Sequence, residues 1–313
     1  MTRVVAIGET MGLVVNDRPG PLSSSRAHTA SFGGAESNVA IALSRLGVST
    51  AWISRLGNDP FGELILRELA AEGVATVTVT DTQRPTGFMH KHRRTTLAAT
   101  VTFWRAGSAA SALSPSDVPD ELIVDADLLH LTGILPGLSD TACEAALHAA
   151  HVARASGTAI SFDINHRSKV WTGRNPRAIY LELIRLADVV FAGEDEAALV
   201  VEGSTPAELA NALHNLGPNE CIIKLGAAGA ISRVGSDTLA QPAFPVDAID
   251  TVGAGDAFVA GYLSARLDEA SPADRLARGA LAGALACLTT GDWEGAPTRA
   301  ELASLTASEG TCR

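Results

Sequence analysis

Short apolar runs alternate with longer segments of helical period along most of this chain, and that alternation leaves few folds open. Val4 to Ile7 is an apolar run that stops at Gly8. Ala35 to Leu46 follows with apolar residues at helical spacing, and Gly47 sits where a helix C-cap would. Thr50 to Ser54 reads as a short strand and Phe61 to Ala71 as a helix closed by Gly73. The rhythm returns with a strand at Leu128 to Leu131, a helix at Asp140 to Ala155 and a strand at Thr158 to Phe162. Further strands are expected at Val189 to Phe191 and Cys221 to Leu225, with helices at Pro176 to Leu186 and Pro206 to Leu216. Such spacing predicts an α/β fold whose mostly parallel central sheet is flanked by helices on both faces.

Two stretches break the rhythm. Val74 to Thr80 and Thr86 to Arg105 carry many β-branched residues, few helix signals, and interleaved polar and basic side chains. With Leu13 to Val15 and Ala27 to Phe32 they predict a small antiparallel sheet projecting from the main body, suited to a lid over an active site. An extra layer packed on the edge of the main sheet is the alternative. No internal repeat or low-complexity linker divides the chain. Residues 1–313 are therefore expected to form one domain, with a lid drawn from about 12–32 and 74–106.

The charge balance excludes several functions. Of the 313 residues, 24 are Lys or Arg and 35 are Asp or Glu, a net charge of -11. Nucleic acids and anionic membranes require clustered cations, so neither is expected as a partner, although a small anion needs only a few. No stretch approaches the roughly 18 apolar residues of a membrane span, and the run after Met1 is too short for a signal peptide. A cytoplasmic location is expected. Cys143, Cys221, Cys287 and Cys312 are scattered with no C-x-x-C pair, which predicts buried free thiols rather than disulfides or zinc ligands. A nicotinamide-dependent dehydrogenase would need G-x-G-x-x-G after the first strand, and Ile7-Gly8-Glu9-Thr10-Met11-Gly12 does not supply it.

The most specific chemistry lies near the C-terminus. Pro245 to Ile249 reads as extended, Asp250-Thr251-Val252-Gly253-Ala254-Gly255 as a turn, and Asp256 to Leu267 as an Ala-rich helix. A glycine-rich turn at a helix N-terminus presents free N–H groups and the positive end of the dipole, which suits phosphate. Asp256 has two readings on spacing alone. It is either a first-turn acid that stabilises the helix, or a base that accepts a proton from an attacking hydroxyl. No G-K-[ST] follows the glycines, so this is not a Walker A loop.

Asp250 to Phe258 resembles the C-terminal signature of the ribokinase family, also called the phosphofructokinase-B family. Gly33-Gly34-Ala35-Glu36-Ser37-Asn38-Val39-Ala40 and Leu56-Gly57-Asn58-Asp59-Pro60-Phe61-Gly62 resemble the family's other signature, in the right order and at the right separation. The resemblance covers essentially the whole chain and implies a ribokinase-like fold and an ATP-dependent small-molecule kinase. It implies Asp256 as catalytic base, with the N–H groups of Gly253, Ala254 and Gly255 as anion hole for the transferring phosphoryl group.

Three further stretches resemble the 2-keto-3-deoxygluconate kinases of that family: Phe103 to Ser111, Asp163 to Trp171, and Gly291 to Gly295. In that subgroup the arginines matching Arg105 and Arg167 bind the substrate carboxylate. The chemistry is apt, because a guanidinium fork matches a carboxylate and a neutral hexose has none to offer. The same carry-over places Gly34 and Asn38 beside the sugar, His90 and Phe103 at lid positions near it, and Asp292 on a distal hydroxyl. The subgroup commonly has tyrosines at those two lid positions. The basic run Met89-His90-Lys91-His92-Arg93-Arg94 either attracts an anionic sugar acid or forms a solvated loop face.

Lys224-Leu225-Gly226-Ala227-Ala228-Gly229 resembles the family's nucleotide-contacting turn, so Lys224, Gly226 and Gly229 are expected at the nucleotide; a plain hairpin connection explains the glycines equally well. Asn165, Arg167, Gly253 and Gly255 are expected to approach the phosphates. Mg2+ is expected with ATP. The family's N-x-x-E motif reads Gly193-Glu194-Asp195-Glu196 here, which leaves Glu196 either near the metal through water or as a solvated acid at a helix start. The resemblance also allows a monovalent cation near Asp250 and a homo-oligomer joined through the lid. The expected reaction is transfer from ATP to the C6 hydroxyl of 2-keto-3-deoxygluconate. Another sugar kinase of the family, such as a fructokinase, and a non-catalytic sugar- or nucleotide-binding regulator are the alternatives.

Overall fold

The computed structural model describes residues 2–24, 26–95 and 99–309 of the chain. Its strands are β1 (Val4–Ile7), β2 (Met11–Asn16), β3 (His28–Gly33), β4 (Thr50–Gly57), β5 (Ala75–Asp81), β6 (Phe88–Arg93) and β7 (Ala99–Trp104). They continue with β8 (Leu128–Thr132), β9 (Ala159–Asp163), β10 (Val189–Gly193), β11 (Glu220–Lys224), β12 (Ala230–Val234) and β13 (Asp237–Gln241). Nine of them form one sheet in the order β13-β12-β11-β10-β9-β8-β1-β4-β5. From β11 to β5 all neighbours run parallel, while β11, β12 and β13 form an antiparallel edge.

Alternate residues of β1 go to opposite faces, and both faces are covered. Val5 and Ile7 pack with Ala145 and Ala149 of helix Asp140–Ser156 and with Ile184 of helix Arg177–Leu186. Val4 packs with Leu43 of helix Ala35–Arg45 and Tyr262 of helix Ala254–Leu267. This is why the inner strands read as unbroken apolar runs instead of alternating ones. The helices are cut where the sequence supplies caps. Asp59, Ser139, Thr205 and Ser271 each accept a backbone N–H of the first turn, contributing about 1 kcal/mol each.

A second sheet of four strands has the order β3-β2-β6-β7. Two expectations about it are corrected. Val74 to Thr80 does not belong to it, because β5 pairs parallel with β4 as the edge of the main sheet. Nor is the small sheet wholly antiparallel, since β2 and β6 run parallel. Between them the chain passes through β3, β4 and β5, and only so long a crossover lets two strands enter a sheet in the same direction. The hairpins β2–β3 and β6–β7 are antiparallel as expected.

Pro245 to Ile249 is irregular instead of a strand, and the N–H groups of Ile249 and Asp250 donate to the Cys287 carbonyl at 2.8 and 3.2 Å. Cys221 is buried, but Cys143 and Cys287 are partly exposed because each lies where a helix meets solvent; Cys312 lies outside the described residues. No helix among the described residues is long and apolar enough to cross a membrane.

Candidate active site

A cleft of about 1040 Å³ separates the carboxyl ends of the parallel strands from the four-stranded sheet. Ligands of open α/β sheets sit at this end, where successive loops diverge. Glu9 follows β1, Asn165 follows β9, Glu196 follows β10 and Lys224 ends β11, and all four line the cleft. Met11, Leu13, Met89, Lys91 and Phe103 line it from the small sheet.

The glycine turn closes one side. Gly253 has φ 76, and a Cβ there would lie 1.9 Å from the Asp292 carbonyl oxygen, so only glycine fits both the dihedral and the contact. The N–H groups of Gly253 and Gly255 make no hydrogen bond among the described residues. That of Ala254 donates weakly to the Thr251 carbonyl at 3.4 Å, so it is not as free as the anion-hole expectation required. Helix Ala254–Leu267 starts here, and its first turn carries Asp256.

Asn38 Nδ2 donates to Asp256 Oδ2 at 2.8 Å. Burial pushes the Asp256 carboxyl up to about 7; Asp163 nearby raises it further, while Asn38, Lys224 and Arg167 oppose. Asn38 is set by its own Oδ1, which accepts from Gly34 N–H at 3.3 Å. Gly34 lets helix Ala35–Arg45 approach the strand end, since a Cβ there would lie 2.2 Å from the Glu9 carbonyl oxygen.

The two arginines meet different environments. Arg105 Nε donates to Glu9 Oε2 at 2.6 Å, Arg105 Nη2 contacts the same oxygen, and Ser108 Oγ donates to Glu9 Oε1 at 2.5 Å. The Glu9 carboxylate is fully buried and holds the guanidinium by its Nε–Nη2 edge, while Arg105 itself lines the cleft. Arg167 is exposed at the rim, with one weak bond to the His166 carbonyl at 3.4 Å. Asp292 also lines the cleft, and burial raises its carboxyl to about 6. Lys224 Nζ donates to Asp163 Oδ2 at 2.6 Å, and the other Asp163 oxygen is buried without a partner.

Residues 1–299 match the family model described as pfkB family carbohydrate kinase. The chain belongs to that family. The 2-dehydro-3-deoxygluconokinase of Bacillus subtilis (strain 168) is 37% identical over 311 residues, 98% of this chain and 96% of that protein. The 2-dehydro-3-deoxygalactonokinase of Haloferax volcanii is 33% identical over 293 residues, 92% of each. The structure of a putative ribokinase II from E. coli in complex with ATP and Mg2+ has a TM-score of 0.91 at 25% identity, covering 98% of this chain and 100% of that one. The protein is a carbohydrate kinase with the ribokinase-like fold.

Most of the residues expected from the family resemblance converge on this pfkB cleft, but four do not line it. His90 alternates with Met89 and Lys91 along β6, so its ring turns to the outer face, 5.6 Å from His28 and 5.8 Å from His92. That corrects its placement beside the substrate. Gly226 and Gly229 serve the β11–β12 hairpin: Leu225 N–H donates to the Gly229 carbonyl at 2.8 Å, and the glycines lie outside the cleft lining. Ala254 contributes backbone only and is also outside the lining. Glu196 lines the cleft, yet its oxygens accept the N–H groups of Gly193 at 2.7 Å and His166 at 3.0 Å, so it is not a solvated acid. No group of three or more His, Cys, Asp or Glu suited to a metal occurs among the described residues.

Other residues of the kinase escaped sequence reading. Glu9 orients Arg105. Glu36 is fully buried and raised to about 7 by burial, with Thr132 Oγ1 donating to Oε1 at 2.6 Å. Lys91, buried, and Arg93, partly exposed, both pair with Asp250, at 2.5 and 2.8 Å. The available signal for Glu9 was its place just past the carboxyl end of an apolar strand.

Proposed function

We propose that the protein transfers the terminal phosphoryl group of ATP to the C6 hydroxyl of 2-keto-3-deoxygluconate (2-dehydro-3-deoxygluconate). The observation that carries this reading is that Asp256, Arg105, Arg167 and Asp292, distant in sequence, line one cleft.

Asp256 takes the proton of the C6 hydroxyl as the oxygen attacks; a base with a pKa near 7 is partly ionised at neutral pH and still strong enough to accept it. The N–H groups of Gly253 and Gly255 and the helix dipole receive the transferring phosphoryl group. Arg105 and Arg167 hold the keto-acid carboxylate, the first rigidly and the second from the rim. Asp292 accepts a hydrogen bond from a distal hydroxyl. Lys224, Asn165 and Arg167 meet the nucleotide phosphates, and Mg2+ bound to ATP neutralises phosphate charge. Glu196 would touch that ion through water only, because both its oxygens hold backbone N–H groups.

The four-stranded sheet, from Met11 to Gly33 and Phe88 to Trp104, is proposed as a lid on a single domain. Its outer face, where the Phe88 ring lies tilted at 5.4 Å from Trp104 and at 5.4 Å from Phe61 of helix Pro60–Ala71, is proposed to receive a second copy of the chain. A panel assay with 2-keto-3-deoxygluconate, its galacto epimer, fructose and ribose tests the substrate. At least one keto acid is expected to exceed both neutral sugars in kcat/KM by ten-fold or more, with the product phosphate at C6. Equal or better turnover of fructose would overturn the assignment.

A further inference from the structure

The geometry points to Lys91 and Arg93 as resident cations of the glycine turn, taking the place of a monovalent metal ion at Asp250 and tying the turn to strand β6 of the small sheet. The inference rests on the reading of that turn as the phosphoryl site.

Asp250 opens the turn and both of its oxygens are engaged. Oδ2 accepts from Lys91 Nζ at 2.5 Å and from Arg93 Nη2 at 2.8 Å, and Oδ1 accepts from Val252 N–H at 3.3 Å. The pairing holds the Asp250 carboxyl below the usual carboxylate range despite its partial burial. The Lys91 side chain is only 5% exposed and that of Asp250 9%. A metal ion at this carboxylate would meet two positive charges already seated on the same oxygen. The site a cation would neutralise is therefore neutralised by the protein itself, and the residues present do not fit the ion.

Lys91 and Arg93 lie two apart on β6 and so project from one face, the face that Met89 also turns to the cleft. The far end of the turn is tied to the same small sheet. Gly253 abuts the Asp292 carbonyl; the adjoining Glu294 accepts from Ser31 Oγ of β3 at 2.8 Å, and Trp293 stacks on Phe32 of β3 at 5.0 Å. Both ends of the turn are thus gripped by strands of the small sheet. The turn reaches its phosphoryl-binding shape when that sheet lies over the cleft, and Lys91 and Arg93 are positioning residues for that shape.

Replacing K+ by tetramethylammonium, an ion too large for any such site, should leave wild-type kcat within two-fold. A ten-fold or greater loss would overturn the inference without any variant being needed. Lys91→Met with Arg93→Met should lower kcat at least ten-fold while KM for ATP moves less than three-fold; wild-type kcat in that double variant sinks it. In an Asp250→Asn background, Lys91→Met should cost less than two-fold further. An undiminished loss there would assign Lys91 to the substrate and not to the turn. Asp256→Asn serves as the control: if it stays fully active, the phosphoryl-site reading fails, whatever the lysine does.

Discussion

Asp250 and Asp256 stand at the two ends of one glycine turn, and the protein holds them in opposite states. Asp250 is surrounded by an ammonium, a guanidinium and a backbone N–H, and stays ionised well below neutral pH. Asp256 has a single neutral donor, Asn38, and burial lifts it to about 7. The difference follows from the work each end must do. A base paired directly to a cation would lose its proton affinity, whereas an unpaired carboxylate at the head of the turn would repel polyphosphate. Residue type is the same; the company decides.

The largest expected effect tests the base. Asp256→Asn should lower kcat by about 10²–10⁴-fold, the usual worth of a positioned base, with ATP affinity by calorimetry changed only a few-fold. Asp250→Asn should cost less, on the order of ten-fold in kcat; if it proves the more damaging, the two roles are reversed. The wild-type kcat/KM should fall on the acid side of about pH 7 as Asp256 takes up a proton, and Asp250→Asn should leave that limb in place. The linkage sign distinguishes the two further. Between the ordinary carboxylate range and about 7 the folded state keeps a proton on Asp256 that the unfolded chain has released, so stability declines as pH rises through that window. Asp250, being depressed, contributes stability above its unfolded pKa that is lost only as pH falls through its folded value. Thermal midpoints across pH 5 to 8 should therefore slope less in Asp256→Asn and change little in slope in Asp250→Asn.

The second effect concerns the arginines and their anchoring. Arg105→Met should raise KM for the keto acid by roughly 10–100-fold, the range expected for a lost charge-assisted bond, with a much smaller change for a neutral sugar. Glu9→Gln should move the same KM in the same direction but less, because the guanidinium survives while one edge of it loses a buried anion. Removing one partner of a buried ion pair costs about 3–5 kcal/mol, so a lowered thermal midpoint should accompany it. A Glu9→Gln enzyme with unchanged KM would show that the edge held by Glu9 does not aim the other edge.

How much of this was readable beforehand divides along physical lines. Most of the parallel strands and the helices beside them were legible within a residue or two, because Val4–Ile7 and Ala35–Arg45 carry their periods in the sequence, but β4 runs on to Gly57 and the antiparallel edge strands β12 and β13 and helix Pro272–Ala286 went unread. β5 was misplaced, since an exposed edge strand such as Ala75–Asp81 has the same β-branched alternating pattern as a strand of a lid. Asp256, Arg105 and Asp292 lie in motifs and could be carried over by resemblance. The Glu9–Arg105 and Lys91–Asp250 contacts join residues far apart in the chain, and no local pattern announces a pairing made only by topology. His90 failed for a smaller reason: adjacent residues on a strand face opposite ways, so a position beside a cleft residue is a position away from the cleft.

The smallest effect separates two readings of Glu196. Its oxygens accept the N–H groups of Gly193 and His166, and the second bond follows directly on Asn165, a non-glycine residue at φ 36. Such a left-handed conformation costs on the order of 1–2 kcal/mol for a residue other than glycine, and a fixed neighbour is what keeps it. Glu196→Gln can satisfy only one of the two donors with its single oxygen. The lost bond is worth about 0.5–1.5 kcal/mol, so KM for ATP should rise by about 2–12-fold as Asn165 loosens. The concentration of Mg2+ giving half-maximal rate should stay where it is. Should that concentration rise instead, with KM unchanged at saturating Mg2+, Glu196 would belong to the metal, and the loop would owe its shape to something else.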